Sequence, residues 1–123
     1  MYGSLANSFH QSKDFKSAAK YYGKQADITK ESDTYRKQGT LLLMAEDYSK
    51  AIPALKNAIA AGSKKQGSIN LAIMEAYFYQ NKFAEAHKYV KRAKEFKDGK
   101  RTASGWKPYI ERKMDNRKIS YTK

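Results

Sequence analysis

The sequence predicts an all-α fold made of three helix-turn-helix repeats and a seventh, closing helix. Apolar residues recur at intervals of three and four along most of the chain, which is the period of a helix with one buried face. One spacing of core residues then occurs three times, which indicates a repeated unit. The 123 residues suffice for one domain or for a few small repeats that share a core.

Each repeat contains four core residues at fixed spacing. The first and second are six positions apart, the second and third three, and the third and fourth four. The three sets are Phe9, Phe15, Ala18 and Tyr22; Leu42, Tyr48, Ala51 and Leu55; and Tyr77, Phe83, Ala86 and Val90. Because the spacing has no internal gap, we expect length differences only in the connections between repeats.

The pattern places a short turn inside each repeat, at residues 12–14, 45–47 and 80–82. Asp14 and Asp47 are suited to cap the helix that follows, since a carboxylate accepts hydrogen bonds from free backbone N–H groups. The small third core residue of each set predicts a close helix crossing. The repeats are expected at about residues 2–31, 32–65 and 66–98, in a single domain of residues 1–123.

Prolines and glycines predict where helices end. Pro53 removes a hydrogen bond from the second helix of the second repeat, so we expect a kink or a helix start near Ser49. Gly62 predicts a helix C-terminus, and the segment 63–66 resembles a capping box that opens the third repeat.

The closing helix is predicted at about residues 103–118. Pro108 fits such a helix if the helix begins near Ser104, because a proline in the first turn loses no hydrogen bond. One face then carries the apolar residues Trp106, Tyr109, Ile110 and Met114. This helix is expected to cover the apolar face of the last repeat, as the end of a repeat array requires.

The chain is strongly basic, with 25 Lys and Arg against 12 Asp and Glu and a net charge of +13. The excess is greatest in residues 98–123, which hold eight basic and three acidic residues, including the pairs Arg112-Lys113 and Arg117-Lys118. One interpretation is a solvated surface. The alternative is binding of nucleic acid or another anionic surface through the basic C-terminal helix.

Catalytic and metal chemistry are not expected. His10 and His87 fall in different repeats, and neither has a nucleophile and a carboxylate at a recognisable spacing. No phosphate-binding or metal-binding motif is present, and the absence of cysteine excludes thiolate sites and disulfides. The sequence therefore predicts a protein that is not an enzyme and that has no cofactor.

These positions resemble the tetratricopeptide repeat (TPR), a helix-turn-helix unit of 34 residues. The resemblance covers about residues 2–97. Its matches are Tyr2, Leu5, Ala6, Phe9, Ala18 and Tyr22; Tyr35, Gln38, Gly39, Leu42, Ala51 and Leu55; and Asn70, Ile73, Met74, Tyr77, Ala86 and Val90. Only Gly39 keeps the motif glycine, and Lys30, Ser63 and Asp98 replace the closing proline.

The resemblance implies an α-α superhelix, or solenoid, and a scaffold or protein-protein interaction module that binds a peptide or protein segment in its concave groove. The first helix of each repeat would line that groove. The predicted groove residues are Asn7, His10, Arg36, Lys37, Thr40, Leu43, Met44, Leu71, Glu75, Phe78 and Tyr79. The groove is expected to be polar and slightly basic in the first two repeats and aromatic in the third.

Two details of the groove follow from the same alignment. Some relatives grip a C-terminal carboxylate with a clamp of lysine, asparagine and arginine, of which only Asn7 is present here, so that activity is not expected.

Phe78 and Tyr79 have no required place inside their own repeat. They either face the groove or pack against a neighbouring element, and the sequence leaves both possibilities open.

A second resemblance concerns source and location. Trp106, Tyr109 and Ile110 after the last repeat resemble bacterial repeat proteins, including periplasmic ones encoded beside TonB-type systems. The first repeat begins directly at Met1, which suggests the C-terminal piece of a longer protein. The expected location is the bacterial cytoplasm or periplasm, and no signal peptide is recognisable in the sequence.

Overall fold

The computed structural model describes the backbone of residues 2–122 and the side chains of residues 2–116. This part of the chain contains seven helices and no strand. They are α1 (Tyr2–Gln11), α2 (Phe15–Thr29), α3 (Ser32–Met44), α4 (Tyr48–Ala60), α5 (Gln66–Tyr79), α6 (Phe83–Ala93) and α7 (Lys100–Thr122). The predicted all-α class is confirmed, and the three predicted turns lie between the helices of each pair.

The chain forms two compact units. Unit 1, Met1–Lys64, contains α1 to α4, and unit 2, Lys65–Lys123, contains α5 to α7. In unit 1 each helix packs against the next along the chain, whereas in unit 2 α6 packs against both α5 and α7. The division falls at the predicted boundary between the second and third repeats. That all three repeats form a single domain stays a prediction.

Small residues stand where the helices come closest. Ala18, Ala51 and Ala86, the third residues of the repeated spacing, are completely buried. Gly39 in α3 also lies at a close helix contact, because a Cβ atom there would lie 2.5 Å from Cγ of Leu55 in α4. A larger residue at such a position would push the helix axes apart. The close crossing predicted from the alanines is therefore present.

The three turns within the helix pairs share one backbone conformation. Their middle residues, Lys13, Glu46 and Asn81, have positive φ angles of 65°, 61° and 62°. The N–H of the residue that follows each of them donates to the carbonyl of the first core residue of its repeat, Phe9, Leu42 or Tyr77. This common turn explains why the core spacing has no gap.

The two predicted caps behave differently. Oδ1 of Asp14 accepts a hydrogen bond from the N–H of Ser17 at 3.2 Å, as expected of an N-cap. Asp47 occupies the N-cap position of α4, but its carboxylate makes no capping hydrogen bond and lies 4.0 Å from Nζ of Lys50.

Helix α4 begins at Tyr48, beside the predicted start at Ser49, and continues through Pro53. Pro53 has no N–H to donate to the carbonyl of Ser49. Both residues are exposed, so water can hydrogen-bond to that carbonyl. The helix ends just before Gly62, whose φ of 88° suits the predicted C-terminal glycine.

Helix α5 does not begin where the predicted capping box at residues 63–66 would place its start. Helix α5 begins at Gln66, and Lys65 at its N-cap makes no side-chain hydrogen bond to the helix. Asp98, which follows α6, caps α5 instead. Its carboxylate accepts from the N–H groups of Gly67 and Ser68 at 3.1 and 2.9 Å and from the hydroxyl of Ser68 at 3.1 Å. The partner that satisfies these N–H groups is therefore distant in sequence.

The predicted bounds of the closing helix are also corrected. Helix α7 starts at Lys100, and Pro108 lies in its interior instead of its first turn. Pro108 has no N–H to donate to the carbonyl of Ser104. Both residues are exposed, so water can hydrogen-bond to that carbonyl. Ile110 and Ala103 are completely buried, so α7 contributes to the core of unit 2.

Removing the Asp98 cap is expected to weaken the fold in a pH-dependent way. Desolvation raises the pKa of the Asp98 carboxyl, but hydrogen bonds from Ser68 and Gly67 outweigh it and hold the pKa below its ordinary value. The stabilisation is therefore present above the unfolded-state pKa and is lost as the pH falls through the folded-state pKa. Asp98→Ala should lower the free energy of unfolding by about 1 kcal/mol at neutral pH.

Urea unfolding at neutral and acidic pH measures this effect. The difference between the wild-type protein and Asp98→Ala should shrink below about pH 4. Asp115→Ala, which removes an exposed acid from α7, is the matched control. An equal loss of stability at both pH values would contradict the assigned cap.

Candidate functional site

Unit 1 contains a cavity of about 360 Å³ whose walls come from the first helices of its two repeats. Six predicted groove residues line it: Asn7 and His10 from α1, and Arg36, Lys37, Thr40 and Met44 from α3. They come together because α2 packs against both α1 and α3. Leu43, the other predicted groove residue of α3, is half-buried and does not line this cavity.

Tyr22 of α2 and Leu41 of α3 also line the cavity, although neither was predicted to belong to the groove. Both are largely buried, with 8% and 2% of their surfaces exposed. Tyr22 belongs to the repeated core spacing, so the sequence assigns it to packing. Its contribution to a cavity wall depends on how α2 sits behind α1 and α3.

Arg36 lines the cavity, and its nearest charged partner is the exposed Asp33. Its Nε atom is buried and donates no hydrogen bond within the described residues. Oδ1 of Asp33 lies 3.5 Å away, which makes an ion pair, but the Asp33 side chain is 69% exposed and therefore largely screened by solvent. Arg36 thus retains capacity for an acceptor on a ligand.

A second cation is held over an aromatic ring. Nζ of Lys37 lies 5.7 Å from the ring centroid of Tyr22, a cation-π contact. Met44, seven residues further along α3, keeps 49% of its surface exposed. The cavity therefore combines two permanent positive charges with an accessible apolar side chain.

The predicted groove residues of unit 2, Leu71, Glu75, Phe78 and Tyr79, all lie on α5. Phe78 is half-buried in an aromatic cluster with centroid distances of 5.3 Å to Trp106, 5.5 Å to Tyr109 and 5.3 Å to Phe83. It thus packs against α7, one of the two places that the sequence left open for it. Tyr79 contacts Phe78 edge-on at 5.6 Å and remains 54% exposed.

Glu75 and Leu71 are half-buried on the same helix. Burial raises the pKa of the Glu75 carboxyl. No hydrogen bond or ion pair joins this carboxylate to another described residue, so its negative charge is partly desolvated without compensation.

Helix α7 presents an aromatic and basic surface, which is shallow and is lined by Arg101, Thr102, Gly105, Trp106, Tyr109 and Arg112. Tyr109 is 40% exposed, and its ring centroid lies 5.9 Å from Cζ of Arg112 and 5.5 Å from Nζ of Lys113. The predicted basic pair at 117–118 lies outside the residues whose side chains are described.

The two histidines lie in different units and have different neighbours. Nε2 of His87 lies 3.6 Å from Oε1 of Glu111, which also accepts a hydrogen bond from Lys107 at 2.7 Å. The Lys107 hydrogen bond is the largest cause that lowers the pKa of Glu111. His10 lies on α1 with its ring 6.2 Å from Phe15. No cluster of metal-ligating side chains occurs among the described residues.

None of the helices in the described part of the chain has the length and apolar character needed to cross a membrane.

The sequence matches no protein-family model and no curated protein sequence. Its fold, however, resembles solved structures. The type III secretion translocator chaperone SycD of Yersinia enterocolitica superposes with a TM-score of 0.78 at 20% identity, over 93% of this chain and 83% of that chain. SycD in complex with a peptide of the translocator YopD gives 0.71 at 17% identity, over 98% and 92% of the two chains.

The first TPR of Spaghetti (RPAP3), bound to the HSP90 peptide SRMEEVD, gives a TM-score of 0.79 at 16% identity. That match covers 93% of this chain and 90% of the other. These likenesses define the class of the protein: it has the tetratricopeptide-repeat fold, as the spacing of its core residues predicted.

Neutralising Glu75 should stabilise the protein at neutral pH. Since burial raises the folded-state pKa above the unfolded-state value, the folded protein binds more protons between the two pKa values, and its stability falls as the pH rises through that window. Glu75→Gln should therefore raise the melting temperature at pH 7, with a gain that disappears below about pH 4.

Thermal unfolding followed by circular dichroism across this pH range measures the gain. Glu95→Gln, which neutralises an exposed acid in the same unit, is the control and should show no comparable change. A lower melting temperature for Glu75→Gln at pH 7 would mean that the carboxylate is stabilised by a partner.

Proposed function

We propose that this chain is a non-catalytic protein-protein interaction module that binds a peptide segment. One observation carries the proposal: six residues predicted to face a groove surround a single cavity of about 360 Å³ in unit 1. Cavities of this size can accept one or two peptide side chains. The exposed Met44 supplies an apolar contact there, and Asn7 and Thr40 supply polar ones.

Proteins of the same fold provide further support. SycD has been solved with a YopD peptide, and Spaghetti with an HSP90 peptide. Their sequences are at most 20% identical to this one, so the analogy concerns the type of ligand and not its identity. Leu71, Glu75, Phe78 and Tyr79 of α5 remain proposed groove residues of unit 2.

The biological setting is part of the proposal. A bacterial protein, in the cytoplasm or the periplasm and associated with a TonB-type system, is suggested by the closing residues Trp106, Tyr109 and Ile110. Identification of proteins retained by the full-length chain would test this setting.

Blocking the cavity should abolish peptide binding. Thr40 is exposed on α3 and lines the cavity, so the ring of Thr40→Trp would occupy the space offered to a peptide side chain. Peptides are first selected from a random displayed library on the wild-type protein. Fluorescence anisotropy of a labelled, selected peptide should then show a loss of affinity of at least about tenfold for Thr40→Trp.

Lys88→Trp adds the same ring to an exposed position of α6 and should bind like the wild-type protein. Circular dichroism establishes that both variants fold. Failure to select any peptide, or equal affinity for Thr40→Trp and wild type, would overturn the proposed function.

A second candidate function is binding of nucleic acid or another anionic surface by α7. The observation that favours it is Tyr109, an exposed ring flanked by Arg112 and Lys113, because single-stranded nucleic acids stack on aromatic rings beside basic groups. The basic residues elsewhere in the chain are dispersed, so this candidate ranks below peptide binding.

Trp106 is the only tryptophan, and its fluorescence should report binding at α7. Titration with oligothymidine should quench this fluorescence at about 50 mM salt and much less at about 200 mM salt. Arg112→Gln should weaken the effect more than Lys16→Gln, which removes an equal charge from α2. No change with oligothymidine or duplex DNA at low salt removes the candidate.

A further inference from the structure

We infer that the unit 1 cavity selects peptides that carry a carboxylate side chain about three residues from an apolar side chain. This inference rests on the proposed function and adds the chemical class of the ligand. It concerns a carboxylate within the peptide, not the C-terminal carboxylate that the clamp of some relatives grips.

The charge of the cavity lining has one sign. The eight lining residues include the permanent cations Arg36 and Lys37 and no acidic residue. A larger hollow of about 640 Å³ elsewhere in unit 1 differs, because Asp27 and Asp47 line it together with lysines. Of these two hollows, only the smaller one is complementary to an anion.

Arg36 has only one charged partner in the described chain, the largely exposed carboxylate of Asp33. Its Nε atom is buried and makes no hydrogen bond within the described residues, and the ion pair that it forms with the exposed Asp33 is long, at 3.5 Å. The guanidinium group of Arg36 has further N–H donors besides Nε, and its planar geometry matches the two oxygens of a ligand carboxylate. Only two permanent cations line the cavity, which suits a single carboxylate better than a doubly charged phosphate.

The apolar part of the cavity lies further along the same helix. Met44 follows Arg36 and Lys37 by eight and seven residues, which corresponds to about 10–12 Å along a helix axis. An extended peptide covers that distance in about three residues. Met44 is exposed and Leu41 lies buried beside it, so an apolar side chain of the ligand can be covered there.

A random library of displayed 12-residue peptides is selected on the full chain at physiological salt. The expected result is enrichment of Asp or Glu about three positions from an apolar residue. Selection on Lys88→Gln, which lowers the net charge equally on an exposed position of α6, should give the same enrichment. Selection on Arg36→Gln should lose it.

A double-mutant cycle on one enriched peptide then assigns the contact. Replacing its acidic residue with Gln should weaken binding to the wild-type protein about tenfold, in line with a charge-assisted hydrogen bond, and should leave binding to Arg36→Gln nearly unchanged. Lys88→Gln should respond to the peptide change as the wild-type protein does.

The outcomes separate the inference from the proposed function. If peptides bind and Thr40→Trp blocks them, but the two substitutions in the cycle are additive, the carboxylate assignment is overturned and peptide binding stands. A phosphoserine peptide that binds more tightly than its Glu counterpart would likewise overturn the choice of carboxylate. If no peptide binds, both proposals fail.

Discussion

The close approach of neighbouring helices is the constraint on which the rest of unit 1 depends. A Cβ atom on Gly39 would press on Leu55 of α4, and one on Gly23 would lie 2.7 Å from Nε2 of Gln38 in α3. Because α2 packs against both α1 and α3, it supports the two helices together and supplies Tyr22 as a wall of the cavity between them. The cavity therefore results from backbone packing, and its chemistry from the side chains that the packing does not use.

Because backbone packing forms the cavity while other side chains set its chemistry, one fold can bind many different ligands. The core spacing of each repeat occupies one face of each helix, and the residues on another face can vary at little cost to stability. In unit 1 this face carries Arg36, Lys37 and Thr40, which are polar, and Met44, which is apolar. In unit 2 the corresponding helix ends in aromatic residues, and Phe78 is drawn into contact with α7. The proposed specificity thus depends on residues that contribute little to the repeat itself.

Unit 2 shows how a departure from the repeat motif can be compensated. The closing proline of the third repeat is replaced by Asp98, whose carboxylate caps α5. Gly67 and Gly99 allow this approach, since a Cβ atom on Gly67 would clash with Oδ1 of Asp98 and one on Gly99 would lie 2.9 Å from Cα of Gly67. The chain after α6 is consequently anchored to the start of α5 just before α7 begins.

The sequence by itself determined the helices, the turns, the repeat and the residues that share a helix face, because these follow from periodicity and spacing within a short segment. It therefore predicted six of the residues around the unit 1 cavity. Tertiary structure alone decided that Tyr22 and Leu41 join them, that Nε of Arg36 is buried, and that Phe78 packs against Trp106. It also decided that Asp98 caps α5 and that α7 continues through Pro108. Each of these depends on contacts or solvent exposure that residues acquire only when segments distant in sequence pack together, and no local pattern contains that information.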